Sequence, residues 1–275
     1  MKVRFWGTRG SIPTPGPSTV RYGGNTACVE VRDRSGSLLV LDAGTGLREL
    51  GVALVKDGAS AQPLGVDLLL SHLHWDHIQG IPFFRPAYDS RTALRIRGPK
   101  QSRTMRDLLG LGMDAPFFPV DLDELPARIE VSELDDGSDV QIGHFRVRAA
   151  SIFHPAPALA YRLEADARSL VYATDTEDPF SGKANPVVAL AAGADLLIHD
   201  AQFVEDDFKR TWGHSTIASA IDVAGKAKVK RLVLYHHDPD RSDDALDRIA
   251  DQARRSSKEH GIEIVVAREG MELEV

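Results

Sequence analysis

Five times in this chain a short apolar run ends in a residue type that binds metals. SLLVLD closes on Asp42, VDLLLSH on His72, SLVYATD on Asp175, ADLLIH on His199 and RLVLYH on His236. Continuous apolar runs of this length, bounded by turn signals, read as buried strands. Further strands are read at KVRFWG, ACVEVR, HFRVRAASI and LAYRLEA. Helical spacing marks GLRELGVALVKDG, SRTMRDLLGLG, NPVVALAAGA, TIASAIDVAGKAK and DDALDRIADQARRSSKEHG, the last stopped by Gly261. Strands interleaved with helices predict an α/β fold. In such folds the loops leaving the C-terminal strand ends commonly build the functional site, so these ends are where chemistry is expected.

No repeat, low-complexity tract or long linker interrupts the pattern. The Pro-rich, acidic stretch DAPFFPVDLDELPARIEV (114–131) reads as a surface excursion, and residues 1–275 as a single domain. A net charge of −7 disfavours general attraction to polyanions and anionic membranes. Cys28 is the only cysteine, so no intrachain disulfide is available. MKVRFWGTRG lacks the apolar core of a signal peptide, and no run approaches the roughly 20 residues of a membrane span. A cytoplasmic protein is expected.

The densest chemical signal is HLHWDH, residues 72–77. Alternate residues of an extended segment point the same way, so His72 and His74 can share one cation. Asp76 and His77 follow after the chain turns and reach a second. The bland alternative is two exposed loop histidines with Asp76 as a helix N-cap. Completing two sites needs ligands from elsewhere. His154, Asp175 and His236 are the candidates, with the Asp175 carboxylate bridging. The expected sets are His72, His74 and His154 for one cation and Asp76, His77 and His236 for the other. Imidazole and carboxylate without thiolate suit Zn, Mn or Fe. Taken singly, a lone buried histidine is more often a satisfied core residue than a ligand; the order of these residues and their strand-end placement favour the joint reading.

SHLHWDH, with LDAGTG before it and HP, TDTE and LYHH after it, resembles the metallo-β-lactamase superfamily. The resemblance runs from Val3 to about Val266. It implies a four-layer αβ/βα sandwich with two divalent metal ions, Zn or Mn, in a shallow cleft at one edge. GTRGSIP, GGNTACVEV and WGHST are similar to the ribonuclease Z and cyclic-phosphodiesterase branch. That similarity implies that His214 contacts the scissile phosphate and acts as general acid. It also implies that Asp200, in IHDAQF where the branch usually carries His-Glu-Ala, orients His214. Aspartate is the shorter side chain, which puts that reach in question. Ser215 is the expected cap of the helix that follows.

The expected reaction is in-line attack on phosphorus by water activated between two cations, which sit about 3.5–4 Å apart in such sites. Asp76 orients the water, and His214 protonates the departing ribose oxygen. Asp42 is expected to steady a metal ligand rather than to be one. His237 is read as support beside His236, His199 as either a buried strand-end or a site residue, His144 and His260 as surface residues, and Trp75 as a wall of the cleft. Arg91, Arg95, Arg97, Lys100, Arg103 and Arg106 read as a solvated basic face. Arg9 and Arg21 lie in loops that could approach an anionic substrate.

The branch's long basic, Gly-rich RNA-gripping arm has no counterpart, and the comparable excursion, 110–136, is acidic. This argues against a large nucleic acid and for a small anionic phosphodiester, foremost a 3′,5′-cyclic nucleotide. The alternatives are a ribosyl cyclic phosphate, a ribonuclease Z-like RNA endonuclease, a lactone or thioester hydrolase on the same fold, and a non-catalytic binding protein. The resemblance also implies a homodimer.

Overall fold

Each of the nine apolar runs forms a strand, and the strands pair into two seven-stranded sheets. The computed structural model describes residues 1–56, 63–179 and 183–275; the side chain of His260 and the last two residues of the stretch 46–58 lie outside the described residues. In chain order the elements are β1 Lys2–Gly7, β2 Cys28–Arg32, β3 Leu38–Leu41, α1 Gly46–Lys56, β4 Leu64–Leu69 and α2 Trp75–Ile78. Then come β5 Thr92–Pro99, α3 Met105–Leu111, β6 Arg128–Leu134, β7 Asp139–Ile142, β8 Phe145–Ser151, β9 Leu159–Ala165 and β10 Arg168–Ala173. The chain ends with α4 Pro186–Leu190, β11 Leu196–Asp200, α5 Ile217–Ala227, β12 Arg231–Tyr235, α6 Asp243–His260, β13 Glu263–Val266 and β14 Glu272–Glu274.

The first sheet runs β14-β1-β2-β3-β4-β5-β6 and the second β13-β12-β11-β10-β9-β8-β7. Both are mixed. β3 to β6 are parallel in the first, and β10 to β13 in the second. Both faces of the inner strands are covered, which is why they read as continuous apolar runs. Phe5, Val29, Leu41 and Leu69 of one sheet pack against Tyr161, Tyr172, Ile198 and Tyr235 of the other. On the outer faces α1 and α3 cover the first sheet, and α4, α5 and α6 cover the second. The result is the expected four-layer αβ/βα sandwich.

Three buried tyrosines pin the sheets together where the parallel strands end. Tyr161 donates to the Leu70 carbonyl at 2.6 Å, Tyr172 to Asp42 at 2.7 Å and Tyr235 to the Gly7 carbonyl at 2.7 Å. A buried hydroxyl needs a partner, and these partners fix the height at which each strand leaves the sandwich.

Five strands went unread in the sequence. β5 alternates Leu94 and Ile96 with Arg95 and Arg97, so it passed as part of a basic cluster. Both arginines are half-buried and close on Asp67, Arg95 with two bonds of 2.8 and 2.6 Å and Arg97 with one of 2.6 Å. Asp89 and Asp123 engage Arg91 and Arg106. The cluster is therefore largely charge-paired, in keeping with a solvated face. The excursion at 114–131 is corrected at its end, because Arg128 begins β6, which pairs with β5. As an edge strand with one exposed face, β6 lacks a continuous apolar run.

Arg9 also requires correction, since it does not approach a substrate. It is fully buried, donating to the carbonyls of Gly23 at 2.9 Å, Asp238 at 3.2 Å and Arg241 at 2.7 Å, with Asp243 at 3.8 Å. It ties the loop after β1 to the loop before α6. Arg9→Ala strands those carbonyls and a buried carboxylate, and should destabilise the protein by about 3–5 kcal/mol in denaturant titration. Arg21 is held at the surface by Asp244 and Asp247.

Candidate active site

Three strand ends share an unusual backbone. Asp42, Asp175 and His236, immediately beyond β3, the β10 run and β12, have φ of 60°, 48° and 59°. The left-handed region is uncommon for residues with a side chain, and Asp and His are among those that enter it most readily. Strain of this kind concentrates at functional sites. Here it turns each chain sharply, at the edge where HLHWDH also lies.

The structure brings all seven expected ligands together. In one group, donor atoms of His72, His74, His154 and Asp175 lie within 4.8 Å of one another; in a second, those of Asp76, His77, Asp175 and His236 do so. Asp175 belongs to both, as a bridging carboxylate must. His72 and His77 are fully buried, whereas His74 is exposed, so the first group opens to solvent.

The rings are fixed from behind. His77 Nδ1 meets Asp42 at 2.7 Å, His72 Nδ1 meets the Ser71 hydroxyl at 3.0 Å and His154 Nδ1 meets the Ala156 carbonyl at 3.0 Å. The opposite nitrogens, Nε2 of His72, His77 and His154, are buried and have no hydrogen-bond partner. Orphaned buried nitrogens are costly. Several converging on one carboxylate fit a bound cation, which would take up all their lone pairs. The donor chemistry, imidazole with carboxylate and no thiolate, fits a divalent cation such as Zn, Mn or Fe.

The electrostatics reflect the crowding of carboxylates and imidazoles: burial lowers the His77 pKa, but Asp76, Asp175 and Asp42 outweigh it and raise it well above the ordinary imidazole value. Burial alone would raise the Asp175 carboxyl, but His236, His77 and His72 hold it well below the usual carboxylate range. Asp76 is likewise held low against burial by His77 and His236. Burial dominates at His72 and His154 and pushes both below the ordinary imidazole value, toward the neutral form that binds metal.

His214 stands beside these groups and, with Asp175, Asp200 and His236, forms a third set whose donor atoms lie within 4.8 Å of one another. It stacks on His236 with centroids 5.1 Å apart, and its Nδ1 meets Asp200 at 2.9 Å. Asp200 therefore does reach. Burial lowers the His214 pKa, but the Asp200 carboxylate outweighs it and raises it to about 9. The Asp200 carboxylate thus favours the imidazolium form of His214. Asp200 also accepts the backbone N–H of Asp175, Gln202 and Ser215, which locks the strand end that presents it.

Several expectations change in detail. Thr216, not Ser215, caps α5 by accepting from Ser219 N; Ser215 instead donates its hydroxyl to the Thr176 carbonyl at 2.5 Å. His237 faces away from the cluster toward the Ala267 carbonyl at 2.8 Å, and burial pushes its pKa down to about 3. His199 is buried, with Nδ1 on the Asp200 carbonyl, and belongs to none of the ligand groups. His144 is exposed, as expected, against Asp33.

Supporting residues were missed. Gln202 receives the Nδ1–H of His236 at 3.0 Å, and Ser11 donates its N–H to Asp76 at 2.8 Å. Glu177 accepts from Thr211 N at 2.7 Å and Gly213 N at 3.3 Å, holding the segment that carries His214. Gly10 shows how tightly this layer is packed. A Cβ on Gly10 would sit 2.4 Å from the His236 ring and 2.8 Å from the Gln202 side-chain oxygen. Gly10→Ala should therefore displace His236 and weaken metal affinity about 10–100-fold, the range for disturbing a ligand's support, as read by competition with a chelating dye.

A family model described as the beta-lactamase superfamily domain matches residues 38–237. The chain belongs to the metallo-β-lactamase superfamily. Within it the relatives place the chain in the ribonuclease Z-like branch. The ribonuclease Z of Haloarcula marismortui is 28% identical, over 100% of this chain and 97% of that protein. Among solved structures, the metallo-β-lactamase fold protein YhfI from Bacillus subtilis has a TM-score of 0.73 at 20% identity, covering 100% of this chain and 99% of that one. The short form of human tRNase Z has a TM-score of 0.69 at 23% identity, covering 100% and 99%. In this superfamily member the family match spans His72 to His236, and so takes in every member of both ligand groups.

Proposed function

We propose that the chain is a metal-dependent phosphodiesterase acting on a small cyclic phosphodiester, foremost a 3′,5′-cyclic nucleotide. The observation that carries this reading is His214, whose Nδ1 is held by Asp200 at 2.9 Å beside two ligand groups that share Asp175. A sugar alkoxide leaves poorly without a proton, so an acid in that place serves phosphodiester cleavage. A thioester, whose thiolate departs unaided, has the least need of it.

His72, His74, His154 and Asp175 would hold one divalent cation, and Asp76, His77, His236 and Asp175 the other, Zn or Mn in each. Cations bound there supply Lewis-acid stabilisation of the phosphoryl oxygens and acidify a water molecule. Asp76, aligned by the Ser11 N–H, accepts a hydrogen bond from the attacking water and orients it in line. Asp42 and Gln202 hold the His77 and His236 rings in register. His214 gives its proton to the departing ribose oxygen, and Asp200 stabilises the charge and orientation of the ring throughout. A cytoplasmic homodimer is part of the proposal. No helix among the described residues is long and apolar enough to cross a membrane.

A second reading, an RNA endonuclease, has its own support. The relatives carry the name ribonuclease Z. Lys209 lies 4.4 Å over the exposed Trp212 ring on the segment leading to His214, a basic and aromatic pairing suited to a polynucleotide. Against it stands the net charge of −7. The two separate in one panel: 3′,5′-cyclic nucleotides, a ribosyl cyclic phosphate, precursor tRNA and a thioester, each with added Mn or Zn. Turnover of the cyclic phosphates with intact tRNA is expected. Cleaved tRNA with unreacted cyclic nucleotides would install the second reading.

A further inference from the structure

We propose that the apolar groove beside His74 is a nucleobase site that positions the substrate's phosphate over the ligand groups. This inference rests on the phosphodiesterase reading above. The groove has a volume of about 660 Å³ and is lined by Trp75, Phe83, Leu111, Met113, Phe117 and Phe118, with His74 at its inner end. Four of these side chains lie open to solvent: Trp75 at 69%, Phe83 at 54%, Leu111 at 44% and Phe117 at 76%. Large apolar side chains gathered in one concavity mark a binding surface, where the same residues scattered singly would not.

The shape selects the occupant. Small-molecule sites run from roughly 300 to 1,000 Å³ and are mostly apolar with a few polar groups. This groove shares His74 with the first ligand group, so its occupant is the remote part of a molecule whose phosphate lies at the cations. A planar ring suits a wall of indole and phenyl groups, of which Phe83 and Phe118 already meet edge to face at 5.5 Å. Gln79 and Gln101, also in the lining, each place one amide N–H, on Thr26 and Pro157 respectively, which orients their carbonyl oxygens as acceptors for an exocyclic amine. An aromatic base that bears an amine satisfies both surfaces. Stacking of this kind is worth on the order of 10- to 100-fold in affinity. Trp75, lying in sequence between His74 and Asp76, couples the base site to the reacting phosphate.

The test is calorimetric binding of 5′-AMP, ribose 5-phosphate and adenosine to the metal-reconstituted protein and to a Phe83→Ala/Phe117→Ala variant. Both substitutions are at exposed positions, so folding should survive, and circular dichroism checks it. AMP should bind at least about tenfold more tightly than ribose 5-phosphate. In the variant that ratio should fall below about threefold, with the affinity for ribose 5-phosphate unchanged. Equal affinities in the parent protein, or a preference that survives the double substitution, would overturn the assignment. Adenosine carries no phosphate. If it binds the parent and not the variant while no phosphodiester is turned over, the groove stands and the reading of the cleft falls. Turnover of cyclic nucleotides alongside equal affinities for AMP and ribose 5-phosphate sinks the groove alone.

Discussion

Asp175→Asn should lower the metal content well below that of the parent protein and reduce phosphodiester hydrolysis by about 10³-fold or more. The size follows from what two cations provide, several kcal/mol of charge stabilisation at the transition state. Asp175 is the residue common to both ligand groups, so its loss affects both at once. Its carboxyl is surrounded by His72, His77 and His236, with ion-pair distances of 3.7, 3.3 and 3.2 Å. Removing its charge leaves those imidazoles facing an amide, which is a poor bridge. Asparagine is the informative substitution because it keeps the volume and tolerates the left-handed backbone, φ 48°, at this position. Metal analysis after gel filtration and a rate assay on the same sample measure the two effects. A variant that keeps the parent's metal content would contradict the bridging role.

His214→Ala should leave metal content unchanged and slow the cleavage of alkyl phosphodiesters about 10²–10⁴-fold, the usual contribution of a positioned acid. The decisive feature is its dependence on the leaving group. p-Nitrophenolate departs without a proton, so bis(p-nitrophenyl) phosphate should lose far less rate than a cyclic nucleotide. Asp200→Asn should show the same pattern more weakly, because it removes the 2.9 Å partner that raises the His214 pKa to about 9. Equal losses on both substrates would mean that His214 binds the phosphate or supports His236, on which it stacks, rather than donating a proton.

His72, Asp175 and His236 could be read in the sequence because each follows a strand with a buried apolar run, and such strands write themselves as uninterrupted apolar stretches; His154 follows the half-exposed β8 and had no such signal. SLVYATD needs no partner strand to point at Asp175. The residues that hold the ligands were not legible. Gln202 is one of six glutamines, none marked by a motif, and only folding sets its oxygen 3.0 Å from His236. Ser11 acts through its backbone N–H, which no side-chain pattern encodes. Arg9 misled for a related reason: an arginine beside a glycine loop suggests an anion, yet its hydrogen bonds go to carbonyls of residues 23, 238 and 241, distant in sequence. In β5 the half-buried Arg95 and Arg97 masked the strand period, because the carboxylate that pairs with them, Asp67, belongs to the neighbouring strand.

Anomalous diffraction from crystals grown with Zn or Mn, measured at the metal's absorption edge, tests the account most directly. Two peaks per chain are expected, about 3.5–4 Å apart, one among His72, His74, His154 and Asp175 and the other among Asp76, His77, Asp175 and His236. A map without a peak in this cleft, or with metal bound elsewhere while these side chains stay unliganded, would contradict it.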